Sequence, residues 1–224
     1  MRREVSYYIR EKKRTASNEL AHVLKKCIGQ IDRSWKEIII LCIGSDRITG
    51  DSLGPLIGQQ LSRYRWKNIH IYGTLDAPVH ALNLESTLSG IKKRHPSALI
   101  LAVDASLGSQ KHIGYITAGI CPIHPGSGVH KNLPAVGDLY ITGILNASGS
   151  FEHFLLQTTR LSFVVQMADT ITDGILRTFS PVYERRGLLP DGWFHREERR
   201  DLCWAKEDSG LAALSIETSS GSIS

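Results

Sequence analysis

Apolar residues in this chain fall into two alternating patterns, short continuous runs and sets at helical spacing. The run Ile38–Ile43 (IIILCI) contains no polar residue, which is the pattern of a strand buried on both faces in a parallel sheet between helix layers. It stops at Gly44, and a polar loop carrying Ser45, Asp46, Arg47, Thr49 and Asp51 follows. Leu53, Leu56, Ile57 and Leu61 then recur at helical spacing, with Gly54-Pro55 at the entry, where proline suits a first turn. The spacing of Leu20, Leu24, Cys27 and Ile28 predicts an earlier helix over 17–30, with Ser17 or Asn18 as its cap.

The same alternation continues. Ile69–Tyr72 reads as a second strand, and Leu82, Leu84, Leu88 and Ile91 as a helix ending before Pro96. Ala98–Val103 is a third buried strand that ends directly on Asp104. Gly114–Gly119 and Gly137–Ala147 are a fourth and a fifth strand, separated by the glycine- and proline-rich loop Ile120–Pro134. From Phe151 one long helix is expected, with Phe154, Leu155, Thr158, Leu161, Val165, Ala168, Ile171 and Ile175 facing inward. Strands alternating with helices predict a three-layer α-β-α sandwich around a mostly parallel sheet. Residues 1–16 are expected as a basic arm, 17–179 as the α/β domain, and 180–224 as an extension partly disordered toward its end.

Composition narrows the classes without naming a function. At 42% hydrophobic and 22% charged residues the chain matches ordinary soluble domains. No apolar run reaches the roughly 20 residues that cross a bilayer, and no secretion signal opens the sequence, so no membrane contact and a cytoplasmic location are expected. Cys27, Cys42, Cys121 and Cys203 lack CxxC spacing. Residues 1–30 hold eight Lys/Arg and three Asp/Glu, which accounts for the whole net charge of +5. The basicity belongs to that segment, and a solvated arm is expected there in preference to a nucleic-acid contact.

Motif chemistry excludes more. GxxxxGK[ST], GxSxG and HExxH are all absent. What remains is a pair of aspartates at strand ends, Asp51 and Asp104, with Asp46, Asp76, His80, His124 and His130 in loops at that edge. In open α/β sheets, ligands and catalytic groups gather at the carboxyl ends of strands. A carboxylate placed after six apolar residues is costly to bury unpaired, which makes Asp104 a candidate for chemistry. Two neighbouring carboxylates could share a proton, one acting as base and one as acid. Alternatively, with an imidazole, they could hold a divalent metal.

Five segments in order, CIGSDRITGDSLGPLIG, YGTLDAPVHALNL, AVDASLG, HPGSGVHKNLPAVGDLYITGILN and LQTTRLSFVVQMAD, closely resemble the YyaC family of sporulation proteins over about residues 17–178. That family in turn resembles the germination spore protease, an atypical aspartic endopeptidase, and more distantly the hydrogenase maturation proteases. The resemblance implies a phosphorylase/hydrolase-like fold. It implies catalytic roles for Asp51, in TGDSLGP, and for Asp104, in VDASLG. Asp46 and Arg47 would shape the entrance, and Gly126, Ser127 and Gly128 would offer backbone N–H groups to substrate or oxyanion, with His130 beside them.

Gly50 stands where the spore protease has proline, and His130-Lys131 replaces its Gly-Asn continuation. No cofactor is expected on the spore-protease reading. On the maturation-protease reading a divalent metal would be held by Asp51, Asp104 and His130. The implied partner is a protein or peptide substrate, with small acid-soluble spore proteins as candidates and a homo-oligomer compatible with either reading. The implied location is the cytoplasm of a sporulating cell or the spore core. The expectation is thus a sporulation-associated peptidase, against a catalytically silent spore-protein-binding factor or a metal-dependent endopeptidase.

Overall fold

A computed structural model describes residues 5–125, 133–149, 152–179 and 213–215. Its centre is a seven-stranded sheet in the order β3-β2-β4-β6-β5-β1-β7. The strands are β1 (Val5–Arg10), β2 (Glu37–Cys42), β3 (Ile69–Tyr72), β4 (Ala98–Gly108), β5 (Tyr115–Gly119), β6 (Leu139–Ala147) and β7 (Ala213–Ser215). The helices are α1 (Ala16–Ile28), α2 (Leu53–Leu61), α3 (Leu84–Arg94), α4 (Glu152–Gln157) and α5 (Leu161–Phe179). Neighbours from β3 through β6 pair in parallel; β5 runs antiparallel to both β6 and β1, and β7 is antiparallel to β1. Five of the seven strands therefore point the same way, and the expected three-layer α/β sandwich is present.

Alternation along the strands sends side chains to two cores. One face gathers Ile38, Ile40, Cys42, Leu99, Leu101, Val103, Leu139 and Ile141 beneath α1, α2 and α5. Helix α1 contributes Leu20, Leu24 and Cys27, each removed from water and each leucine stabilising the fold by roughly 1.5–3 kcal/mol. The other face gathers Ile39, Leu41, Ile43, Ala98 and Ala102 beneath Leu84, Leu88 and Ile91 of α3. Because Ile38–Cys42 of β2 and Ala98–Val103 of β4 are covered on both sides, these stretches have no polar face to show, which explains their uninterrupted apolar sequences.

Several expectations are corrected. Val5–Arg10, inside the stretch read as a basic arm, is a sheet strand: it adds to β5 in the register Tyr8↔Thr117. Thr15, not Ser17 or Asn18, precedes the first turn of α1. Strand β4 does not stop at Val103 but runs to Gly108, because β6 continues to pair with it; Asp104 is a mid-strand residue. Leu82 is 79% exposed and lies ahead of α3 instead of on its buried face. The single helix expected from Phe151 is two: α4 ends near Thr158, whose hydroxyl bonds back to Phe154 O and Leu155 O, and α5 begins at Leu161. Phe154 and Leu161 are exposed, whereas Ala168, Ile171 and Ile175 do face the core. Apart from β7, the 180–224 extension lies outside the described residues.

Candidate active site

Strand β2 hands over to the loop at Gly44, whose φ of +140° turns the chain sharply. The loop then closes on itself: the N–H of Ser45 donates to Asp51 O at 3.1 Å, and that of Gly44 to Val79 O at 2.8 Å. A 3-10 turn, Gly50–Ser52, carries Asp51 and leads straight into α2. Ser52 fixes this turn, its hydroxyl donating to Thr49 O at 2.6 Å. A side chain at position 54 would run into Ile43 O at 2.0 Å, so glycine there lets the start of α2 rest directly on the end of β2. Asp51 is held half-buried by this arrangement, while Asp46 and Arg47 are exposed on the outer part of the loop.

Asp104 enters from β4, on the same face as Ala98 and Ala102. It is 8% exposed, and its Oδ1 accepts the N–H of Ala105 at 2.8 Å. Burial first, and the negative charge of Asp51 second, push the Asp104 carboxyl well above the usual carboxylate range, while the Ala105 N–H acts in the opposite direction. Two carboxyl groups from different elements thus feel one another, and one of them is biased to keep its proton.

The sheet continues this polarity sideways. Asp104 pairs in register with Thr142 of β6, and Thr142 with Thr117 of β5. The two threonine hydroxyls are 2.6 Å apart, and Ser106 donates to Thr142 Oγ1 at 3.2 Å and to Gly143 O at 3.3 Å. Helix α4 closes the neighbourhood of Asp51: Asn146 of β6 donates to Leu155 O at 3.0 Å, and Leu156 packs over Gly50.

Two other sequence candidates make local contacts of their own. His80 organises the turn before α3, its Nδ1 accepting the Leu82 N–H at 3.3 Å and its own N–H donating to Asn83 Oδ1 at 2.8 Å. Asp76 is exposed and accepts from Gln59 at 3.4 Å. His124 is exposed. Gly126, Ser127, Gly128 and His130 lie outside the described residues. Among the described residues, no histidine, cysteine or further carboxylate completes a metal-ligand trio with Asp51 and Asp104.

A second titratable cluster escaped the sequence reading. Glu37, His70 and His95 meet at the amino ends of β2 and β3 and the end of α3. No motif could have revealed it, because the three residues are far apart in the chain and only strand pairing unites them.

Comparison with known proteins places the chain among relatives. Residues 8–174 match the family described as "Protein of unknown function (DUF1256)". The chain is 40% identical over 186 residues to the uncharacterized protein YyaC of Bacillus subtilis (strain 168), covering 83% of this chain and 90% of that protein. The family match takes in β2 through β6 and the Asp51 and Asp104 segments. The chain belongs to the DUF1256 family.

Proposed function

We propose that this protein is a peptidase of the aspartic, spore-protease type, in which Asp51 and Asp104 together activate water. The observation that carries the reading is the state of Asp104, buried in the sheet and raised in pKa by that burial and by Asp51. Such a pair divides the labour of acid–base catalysis. Asp51, the more exposed of the two, is the carboxylate that takes a proton from water. The water oxygen bonds to the peptide carbonyl carbon as the proton passes to Asp51. Asp104, holding its proton, donates to the carbonyl oxygen as negative charge develops there. When the tetrahedral carbon collapses, its C–N bond breaks, the amine leaves with the proton that Asp51 collected, and one hydroxyl of the diol returns its proton to Asp104 as the carbonyl re-forms. Exposed Asp46 and Arg47 flank the approach and would contact the substrate backbone or side chains.

The resemblance to the germination spore protease supports proteins of the sporulating cell as substrates, with small acid-soluble spore proteins the first to try. The test is mass-spectrometric detection of new peptide termini after incubating such an extract with the protein, Asp51→Asn or Asp104→Asn, each with and without chelator. The expected result is defined termini from the parent alone, reduced at least ~100-fold in either variant and indifferent to chelator. Cleavage retained in both variants would overturn the assignment. Loss in chelator, restored by a metal, would replace it with the metal-dependent mechanism, and binding without any cleavage would replace it with a spore-protein-binding role.

A further inference from the structure

At the opposite end of β2 from Asp51, three side chains from three elements converge on one point. Glu37 opens β2, His70 lies in the adjacent β3, and His95 follows the last turn of α3. In the parallel register Ile39 sits beside His70, so Glu37, two residues earlier, shares its face of the sheet. One oxygen, Glu37 Oε2, receives both imidazoles, His95 Nδ1 at 2.8 Å and His70 Nε2 at 3.0 Å. The two rings lie 4.3 Å apart between centroids, and the three ligand atoms are all within 4.8 Å of one another.

The other nitrogen of His95 is also spoken for. Nε2 lies 3.1 Å from the hydroxyl of Tyr72, whose ring is in turn stacked by Arg94 at 5.6 Å. In the present structure Nδ1 donates to Glu37 and Nε2 accepts from the Tyr72 hydroxyl; with an ion on Nδ1 the proton would sit on Nε2 and donate to the Tyr72 oxygen, an outer partner that holds the ring in place in both states. His70 keeps 43% of its side chain in solvent and lines a shallow cleft of about 380 Å³ with Tyr64, Trp66 and Tyr72. Water therefore reaches the cluster from one side.

We propose that Glu37, His70 and His95 form a binding site for a divalent transition metal of the zinc class, with Tyr72 as its outer hydrogen-bond partner. Two neutral imidazoles and one carboxylate suit such an ion, and a fourth position is left to water from the cleft. The geometry needs little change. Metal–ligand bonds of about 2.0–2.2 Å in a tetrahedron set ligand atoms roughly 3.3–3.5 Å apart, so the present contacts open by about half an ångström. As the ion enters, the ring protons now facing Glu37 are replaced by the metal, and each neutral imidazole carries its proton on its other nitrogen. The ion would staple the edge strand β3 and the end of α3 to β2. This site is independent of the proposed peptidase pair, which lies past the other end of β2.

The test is titration of the untagged, chelator-stripped full chain with Zn²⁺ by calorimetry, and with Co²⁺ by visible absorption. One equivalent of each ion is expected to bind, with the Co²⁺ bands of a low-symmetry four-coordinate site and a rise in the unfolding midpoint. His70→Gln, His95→Gln and Glu37→Gln should each weaken Zn²⁺ by at least ~100-fold, and Tyr72→Phe by about 10-fold. Asp51→Asn and Asp104→Asn should bind as the parent does. Circular dichroism of each ligand variant establishes that it is folded, and Tyr72→Phe gives a second readout that removes no ligand. No saturable binding by the parent, or binding that survives all three ligand substitutions, would overturn the proposal. So would binding lost in the aspartate variants, since the ion would then belong to the other end of the sheet.

Discussion

A methyl group on Gly44 would lie 2.0 Å from the carbonyl oxygen of Asp51, well inside any permitted non-bonded contact. The backbone at position 44 also has a positive φ of +140°, which side-chain-bearing residues rarely adopt. The turn that carries Asp51 is therefore seated on a place where only hydrogen fits. Gly44→Ala is expected to cost about 2–4 kcal/mol of stability, from backbone strain and from displacement of the 50–52 turn together. Urea unfolding measures it, and a loss below about 0.5 kcal/mol would contradict the seating described.

The raised pKa of Asp104 makes a stability prediction with a definite sign. The folded protein holds this proton more tightly than the unfolded chain does. The residue thus favours folding below the ordinary carboxylate pKa and penalises it progressively as pH rises toward its folded-state value. Asp104→Asn keeps an acceptor for the Ala105 N–H and removes the charge. It should raise the unfolding midpoint at pH 8 by ~2 °C or more, and the gap should close near pH 4. An equal gap at both pH values would show that ionisation is not its source.

Asp138 and Arg33 form an ion pair at 2.7 Å, yet the two ends should matter unequally. Arg33 is substantially exposed, and it also donates to Ala98 O at 2.8 Å. Asp138 in addition accepts the Ile100 N–H at 2.8 Å, tying the entry of β6 to β4. Arg33→Ala should cost up to about 1 kcal/mol. Asp138→Ala, which strips the backbone donor of its partner, should cost about 1–3 kcal/mol. Equilibrium unfolding of the two variants ranks them, and the reverse order would refute this division.

Thiol chemistry reads the core directly. Cys27 and Cys42 are buried, and burial pushes the Cys27 thiol up to about 11 and that of Cys42 higher still. Both should resist an aromatic disulfide reagent at pH 8 until the protein unfolds, whereas partly exposed Cys121 should react in the native state. Mass spectrometry of the labelled protein assigns the sites. Labelling of Cys42 at the rate of Cys121 would mean that α2 leaves the sheet far more readily than its packing implies.

How much of this was legible in the sequence depends on what burial demands of each segment. Ile38–Cys42 and Ala98–Val103 announce themselves because both of their faces are covered, so no polar residue is tolerated. Val5–Arg10 does not: VSYYIR is short, sits among lysines and arginines, and becomes a strand only by pairing with β5. The extension of β4 past Asp104 is likewise imposed by β6, not by the residues Ala105–Gly108. Of the candidate active site, Asp51 and Asp104 were visible as charges beside apolar runs, and their electrostatic coupling is a property of the fold. Glu37, His70 and His95 were invisible because each, taken locally, is an ordinary polar residue at the end of an element.

The register Tyr8↔Thr117 has a consequence for biosynthesis. Strand β1 leaves the ribosome before the strand it completes, and about 100 residues separate the two partners. At roughly 5–20 residues per second, β1 waits on the order of ten seconds before β5 exists to receive it. Until then the sheet cannot close on that side, and β5, once made, presents a bare edge that any extended segment could occupy. Nascent chains halted between β3 and β5 should therefore be clients of a holding chaperone, and release should coincide with the capture of β1.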